Sequence, residues 1–168
     1  CEDTRHARHL LDHHGIRVQT LAVHQHNENE AANKLIAILA EGKSIALISD
    51  AGTPAISDPG ARTVAAVRAA GFPVIPLPGA SAAIAALSAA GMTEDRFLFV
   101  GFLPSKSSAR RAAIKELAAI SAVLVIYEAP HRVLETVADL AEVLEPQREI
   151  VIAREVTKLF EQIERLLL

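Results

Sequence analysis

Short apolar runs alternate with segments of helical periodicity along nearly the whole chain. The runs "RVQTLAV", "SIALIS", "PVIPL", "RFLFVGFL", "AVLVIYE" and "EIVIARE" have the length and character of strands. Between them, apolar residues recur at helical spacing, as at Val133, Val137, Leu140 and Leu144. This alternation predicts an α/β protein with a largely parallel sheet, and we expect the last segment, 159–168, to be helical.

Polar and glycine residues mark where these predicted helices start and stop. Asn27, with Glu30 three residues later, predicts a capping box for one helix, and Asp58 before Pro59 predicts the cap of the next. The segment "GMTEDR" is the best boundary and predicts domains at 1–94 and 95–168. Because the chain opens in a charged, helix-like segment, we expect an upstream strand and loop to be missing. The apolar "RLLL" end suggests that more follows.

Composition narrows the classes of protein to consider. The chain is 51% hydrophobic but only 4% aromatic, which favours an aliphatic, helix-rich core. No apolar run approaches the roughly 18 residues of a membrane span, and no basic-then-apolar signal segment opens the chain, so we expect a soluble protein. One cysteine fits a reducing cytosol. A net charge of −3 gives no global attraction for nucleic acid, so any such contact needs a local patch.

Turn-forming residues cluster directly after four of the predicted strands. These loops are "DAGTP" at 50–54, "PGAS" at 78–81, "EAPHR" at 128–132 and "REVTK" at 154–158. In open α/β sheets ligands bind at the carboxyl ends of strands, and glycine or alanine lets a flat ligand approach the backbone. The pattern therefore predicts a small-molecule pocket, although each loop alone is also typical of an ordinary turn. Asp50 is expected to bond the amides of its own turn.

Other common sites find no support in the motifs. The chain has no G-x-G-x-x-G dinucleotide fingerprint, no phosphate loop and no G-x-S-x-G elbow. His6, His9 and His13 share one face of a predicted helix and offer a possible metal site. Without a nearby cysteine or an H-E-x-x-H motif, a solvated polar face is favoured instead, and no metal is expected.

Taken in order, the motifs resemble a known family. "EDTRHARHLL", "ISDAGTPAISDPG", "PLPGASAAIAAL", "GFLP", "YEAPHR" and "AREVTK" follow one another as in the tetrapyrrole methylase superfamily, and within it the chain resembles the small-subunit ribosomal RNA methyltransferase I branch. The resemblance implies two α/β domains with S-adenosylmethionine in the cleft between them, usually in a cytoplasmic homodimer. It implies 2′-O-methylation of a cytidine ribose in small-subunit ribosomal RNA, free or in a particle. The family's opening strand with its "TPIGN"-like loop and its last strands are not in this chain.

The resemblance also implies which residues line the cofactor and carry the chemistry. The cofactor-lining residues it indicates are Asp50, Ala51, Gly52, Thr53, Ile56, Ser81, Ala82, Tyr127, Glu128 and Glu155. Glu155 is expected to accept or orient the proton of the ribose hydroxyl, and Lys158 to stabilise the developing alkoxide, although a surface ion pair fits the pair equally.

RNA binding by a mildly acidic protein needs a positive lane. The residues expected to form it are Arg5, Arg8, Lys106, Arg110, Arg111, Lys115 and Arg132. For the cluster between 106 and 115, a solvated helix face is the plain alternative. Two other functions remain open: a C-methyltransferase of tetrapyrroles with the same cofactor site, and a catalytically silent module that binds RNA or a partner.

Overall fold

Six α-helices and four β-strands make up the chain, and the computed structural model describes residues 1–168. The elements are α1 (Thr4–His13), α2 (Glu28–Ala40), α3 (Ala61–Ala69), α4 (Ala82–Ala89), β1 (Phe97–Phe102), α5 (Ser107–Ala118), β2 (Val123–Tyr127), a 3-10 turn (Pro130–Arg132), α6 (Val133–Val143), β3 (Glu149–Arg154) and β4 (Gln162–Leu167). They fall into two compact units, Cys1–Ala80 and Ser81–Leu168.

The first unit is built from helices α1 to α3 and long irregular segments. Its core brings Val23 together with Ala31 and Leu35 of α2, and Leu21 packs against this group. Helix α2 packs against α3. Alanine supplies much of α2's buried face, so the two helices approach closely with little bulk between them. The predicted aliphatic core is present here in miniature.

Three predicted strands are absent from this first unit. Residues 17–23, 44–49 and 73–77 have no strand pairing, although their apolar pattern predicts it. Within these segments the only backbone–backbone hydrogen bond joins the Val23 amide to the Cys1 carbonyl, at 2.8 Å. An apolar run can specify an extended backbone, but a strand also requires a neighbour that accepts and donates its hydrogen bonds. The prediction was therefore wrong about pairing.

Two predicted helix caps are also corrected. Asn27 precedes α2 but bonds the backbone before it: its Oδ1 accepts from the His24 amide at 2.8 Å, and its Nδ2 donates to the Ala22 carbonyl at 3.1 Å. Gly60 rather than Asp58 occupies the cap position of α3. The exposed amides of α3 are satisfied instead by Glu28, whose Oε2 accepts from Arg62 at 3.0 Å and Thr63 at 3.3 Å.

The second unit begins with α4 and contains both sheets. Strands β1 and β2 pair in parallel, with Phe97 opposite Val123 and Phe102 opposite Tyr127. Helix α5 connects them, and it packs against α6. This is a β-α-β unit of the predicted kind. Ile114 on α5 is 1% exposed and Leu103 after β1 is 3% exposed, which makes them the most deeply buried apolar residues of this unit.

Strands β3 and β4 form a separate antiparallel pair. Ala153 lies opposite Ile163, and Glu149 lies opposite Leu167. The prediction of a helix over 159–168 was wrong, as was that of one largely parallel sheet. The turn at 155–161 returns the chain alongside β3, so pairing with β3 satisfies the backbone that a helix would have bonded to itself. Across the pair, Arg165 Nε donates to Glu149 Oε1 at 3.0 Å.

The division between the units lies earlier than the predicted domain boundary. Helix α4, which the prediction placed in the first domain (1–94), belongs with the second unit. A hydrogen bond from the Ala83 amide to the Tyr127 hydroxyl ties α4 to β2. Assignment of functional domains at 1–94 and 95–168 stays a prediction. None of the helices is long and apolar enough to span a lipid bilayer.

Candidate functional site

The loop at 50–57 holds an unusual backbone. Gly52 has φ +68°, and the two non-glycine residues Ala55 and Ser57 have φ +65° and +64°. The left-handed region costs an L-residue roughly 1 kcal/mol or more, so surrounding contacts must fix the loop. One such contact is the Ser49 hydroxyl, which donates to the Gly52 carbonyl at 3.0 Å. The loop is a preformed shape and not a flexible linker.

A second predicted turn, at 78–80, lies beside this loop. The Thr53 hydroxyl donates to the Ala80 carbonyl at 2.9 Å. A methyl group added to Gly52 would lie 3.7 Å from the same carbonyl oxygen. Two predicted cofactor residues, Gly52 and Thr53, thus border a turn that comes from a different part of the sequence. Within the first unit, two of the four motif loops are neighbours.

Backbone amides in the two turns have no protein partner. The N–H groups concerned belong to Ala51, Gly52, Thr53, Gly79 and Ala80, and none of them lies within hydrogen-bonding distance of a protein acceptor. All of these residues except Thr53 are exposed. Their side chains are too small to shield the backbone, so the amides are free to donate to a bound ligand with acceptor groups at its edge.

Two carboxylates flank the first turn. Asp50 is exposed and makes no hydrogen bond, so the expectation that it bonds the turn amides was wrong; Ser49 ties the turn together instead. Partial burial of Asp58, and then the negative charge of Asp50, raise the pKa of the Asp58 carboxyl. Asp50 is therefore an uncommitted acceptor at the edge of the turn. Ile56, also predicted to line the cofactor, is 50% exposed in the same loop.

In the second unit, Ser81 and Tyr127 both hold the start of α4. The Ser81 hydroxyl accepts from the Ile84 amide at 3.5 Å, and the Tyr127 hydroxyl accepts from the Ala83 amide at 3.2 Å. The Tyr127 ring makes edge contacts with Phe99 and Phe102. Ala82 is exposed beside them. Predicted site residues from two motifs meet here, but their polar atoms serve α4.

The Glu128 carboxylate is fully occupied by its own loop. Oε1 accepts from the Ala129 amide at 2.8 Å and lies 3.3 Å from Arg132 Nε, and Oε2 accepts from the Thr136 hydroxyl at 2.6 Å. Arg132 in turn donates to the Leu103 and Pro104 carbonyls, at 3.0 and 3.2 Å. These bonds fasten the "EAPHR" loop to the "GFLP" segment, so Glu128 shapes the loop whatever else it contacts.

Glu155 and Lys158 lie in the turn between β3 and β4. Lys158 Nζ is 3.5 Å from Glu155 Oε2, and both side chains are largely exposed. Glu155 has φ +51°, another left-handed non-glycine residue in a predicted site loop. In this geometry the two side chains form a surface ion pair, one of the two interpretations that the sequence left open. Their catalytic role stays a prediction.

The predicted RNA lane is only partly on the surface. Arg110 is 1% exposed, its Nε donates to Asp139 Oδ2 at 2.6 Å, and its Nη1 donates to the Ser105 carbonyl at 3.2 Å. It connects α5 to α6 and cannot reach a phosphate, so its predicted RNA role is corrected to a structural one. Arg111 donates to both oxygens of Glu142, at 2.7 and 2.6 Å.

The other predicted cations differ in how available they are. Lys106, Lys115 and Arg8 are exposed and make no ion pair. Arg5 pairs with Asp3 at 2.8 Å, and its hydrogen bonds hold the pKa of the Asp3 carboxyl to about 2. Arg132 is committed to the "EAPHR" loop described above. The exposed, unpaired cations are therefore fewer than the sequence suggests.

Sequence reasoning missed part of this arrangement. The amides of Gly79 and Ala80 are as exposed as those of the first turn, yet only the next two residues were predicted as site residues. Their small size in "PGAS" was the available signal. Asp139, which carries the charge opposite Arg110, gave no motif. No group of three or more histidine, cysteine or acidic side chains is arranged to hold a metal ion, the α1 histidines included.

Comparison with known proteins bears on the whole chain. The family model described as Tetrapyrrole (Corrin/Porphyrin) Methylases matches residues 1–168. Proteins named "Ribosomal RNA small subunit methyltransferase I" from Vibrio cholerae and Haemophilus influenzae are 51% and 52% identical over 163 residues, or 97% of this chain. The corresponding Pseudomonas aeruginosa protein is 49% identical over 166 residues, 99% of this chain. The chain spans 57 to 59% of the length of these relatives.

The fold has a solved counterpart. The structure described as "Crystal structure of the methyltransferase CobJ" matches with a TM-score of 0.66 and 23% identity, covering 91% of this chain and 68% of that one. At this identity the likeness speaks for the fold alone. The resemblance that the motifs predicted is confirmed by the family model and the relatives. The chain belongs to the tetrapyrrole (corrin/porphyrin) methylase family.

Proposed function

We propose that the protein containing this chain transfers a methyl group from S-adenosylmethionine to RNA of the small ribosomal subunit. The observation that carries the proposal is the near 50% identity, over almost the whole chain, to proteins named for this activity in several bacteria. Because the chain spans little more than half of those relatives, the proposal concerns the whole protein. The finer assignment is 2′-O-methylation of a cytidine ribose, in the cytoplasm, by a homodimer.

The cofactor proposal is supported by the two neighbouring turns. Their unpartnered amides and small side chains suit a nucleoside whose ribose and adenine edges accept hydrogen bonds. The free Asp50 carboxylate supplies the complementary acceptor for hydroxyl or ammonium groups. Bound S-adenosylmethionine supplies an electrophilic methyl group. The left-handed backbone of the first turn keeps the amides in place before the ligand arrives, which lowers the cost of binding.

The proposed chemistry uses Glu155 and Lys158. Glu155 accepts the proton of the ribose 2′-hydroxyl while that oxygen bonds to the methyl carbon and the carbon–sulfur bond breaks. Lys158 stabilises the negative charge that develops on the oxygen. In the structure the two side chains pair with each other at 3.5 Å, so substrate must enter between them. Alignment at near-attack distance supplies much of the rate.

RNA contact is assigned to the cations that the structure leaves unpaired. Lys106 and Lys115 are exposed at the start and within α5, and Arg8 is exposed on α1. Such contacts give affinity through phosphates and carry little sequence information. Specificity then comes from the shape of the RNA or of an assembled ribosomal particle. Arg110 is left out because its charge is neutralised inside the fold.

A second candidate is methylation of a tetrapyrrole ring carbon. The description of the family and the CobJ fold favour it, since the same cofactor turns would serve. It needs no cations on α5. A silent module that binds RNA without transferring methyl is the third possibility, and it predicts no affinity for S-adenosylmethionine.

The experiment offers the full-length protein two substrates with tritiated S-adenosylmethionine. Small ribosomal subunits lacking the modification should become labelled, and a porphyrinogen or precorrin should not. Replacing Lys106 and Lys115 by glutamate should reduce labelling, whereas the same change at Lys34 and Lys43, which pair with Glu30 and Glu41, should not. Label on the tetrapyrrole, or on neither substrate, would overturn the proposal.

A further inference from the structure

Leu159 and Phe160 project from the turn between β3 and β4. Leu159 is 88% exposed and Phe160 is 71% exposed. The chain contains only five phenylalanines and no tryptophan, so an aromatic ring left in water is a notable use of a scarce residue type. Burial is the favourable fate of such a ring, and its absence here indicates that something else covers it during function.

The turn that carries Phe160 is held by hydrogen bonds of its own. The Lys158 amide donates to the Glu155 carbonyl at 2.8 Å, and the Glu161 amide donates to the Lys158 carbonyl at 3.2 Å. The Glu161 carboxylate accepts from the Thr157 amide. Two of these residues, Glu155 and Thr157, have positive φ. The ring is therefore presented from a fixed backbone.

The charges around the ring are nearly balanced. The exposed cations Arg154 and Lys158 flank it in sequence, while the carboxylates of Glu155 and Glu161 are engaged with Lys158 and the Thr157 amide. A surface of this kind does not attract RNA by charge alone. It offers a flat apolar ring, with two cations close enough for the phosphates of the same nucleotide or its neighbours.

We infer that Phe160 is a base-stacking residue for an unpaired nucleotide of the RNA substrate. The inference rests on the proposed function. Its specific support is continuity: Phe160 lies in the same short turn as Glu155 and Lys158, the pair proposed to act on a ribose. A base is joined directly to its ribose, so a ring beside that pair meets the base of the reacting nucleotide or of the next one. Unpaired RNA bases are commonly bound by stacking on aromatic side chains.

The test measures RNA affinity of the full-length protein with a fluorescent probe. A single-stranded oligoribonucleotide carrying 2-aminopurine at the target position reports stacking by quenching of its fluorescence. Phe160→Ala should weaken binding roughly tenfold and abolish the quenching, as expected for the loss of one aromatic stack. Phe160→Trp should retain both. Leu159→Ala is the matched control: an exposed neighbour whose removal should change neither.

The outcomes separate this inference from the proposed function. If the wild-type protein methylates small subunits but Phe160→Ala binds and quenches as well as wild type, the stacking role is wrong and the function stands. If Leu159→Ala and Phe160→Trp fail as badly as Phe160→Ala, the turn is an apolar contact for a protein partner, which also overturns stacking. If the wild-type protein neither binds RNA nor labels it, both proposals fall. Every variant should bind S-adenosylmethionine normally.

Discussion

Glu28 shows how much one carboxylate can organise. Its side chain is 9% exposed and accepts from two amides at the start of α3, 34 and 35 residues further along the chain. No local pattern near α3 announces this cap, because Gly60 has no side chain to offer. Spacing rules find caps that lie next to the helix they serve, and they miss those that tertiary contact supplies.

Replacing Glu28 by alanine should lower the free energy of unfolding by about 1 to 2 kcal/mol, because two helix amides lose their acceptor. Glu28→Gln keeps one oxygen and should lose less. Denaturant unfolding followed by circular dichroism measures both. Glu30→Ala, at an exposed pair with Lys34 on the same helix, is the control and should be nearly neutral. Equal effects at the two positions would refute the cap.

Asp58 gives a prediction about pH. Its folded-state pKa is raised by burial and by Asp50, so ionisation favours the unfolded chain. The penalty is absent below the ordinary carboxyl pKa of about 3.9 and is complete once the pH exceeds the raised value. Asp58→Asn should therefore stabilise the protein at pH 7 and not at pH 3. Asp50→Asn should give a smaller gain. Unfolding curves at both pH values decide; destabilisation of Asp58→Asn at pH 7 would contradict the account.

At the scale of elements, the link between α5 and α6 carries the most stability. Burial raises the pKa of the Asp139 carboxyl, but hydrogen bonds from Arg110 and Ser107, with the charges of Arg110 and Arg111, outweigh burial and lower it. The ion pair is thus well compensated. It is also what removed Arg110 from the expected RNA surface.

Arg110→Met should cost roughly 3 kcal/mol of unfolding free energy, because it leaves a buried carboxylate without its partner. The double variant Arg110→Met with Asp139→Leu should recover most of the loss. Arg111→Met, at the neighbouring exposed pair, should change little. Wild-type stability should fall as the pH drops below about 4 towards the lowered pKa of Asp139, and Asp139→Asn should lose that contribution. Chemical unfolding across pH tests the set; a neutral Arg110→Met would contradict it.

Helices were easier to predict than strands, for a physical reason. The segments that became α1, α2 and α3 satisfy their hydrogen bonds within themselves, so periodicity and glycine stops suffice to place them. Strand β2 was also found, since β1 pairs with it through a nearby crossover. Residues 44–49 and 73–77 carry the same apolar signal without a partner strand. Residues 162–167 carry a mixed signal that pairing with β3 resolved.

At the scale of the molecule, the order of the motifs identified the family where their details did not place every side chain. "DAGTP" and "PGAS" were predicted to share a ligand, and in the first unit Thr53 does contact Ala80. Glu128, Arg110 and Arg132 were predicted from the same motifs, yet their polar atoms mostly bind the protein itself. A motif records which residues a fold needs, but only coordinates separate those facing a ligand from those holding the loop.

The central claim is that the paired turns hold the methyl donor, and Gly52 tests it most directly. Gly52 and Gly71 have φ of +68° and +87°, so Gly52→Ala and Gly71→Ala carry similar backbone strain, but only the former lies against the second turn. Calorimetric titration of the full-length protein with S-adenosylmethionine should show affinity reduced roughly tenfold in Gly52→Ala and unchanged in Gly71→Ala. Equal affinity in both variants and wild type, or no binding by the wild-type protein, would contradict the claim.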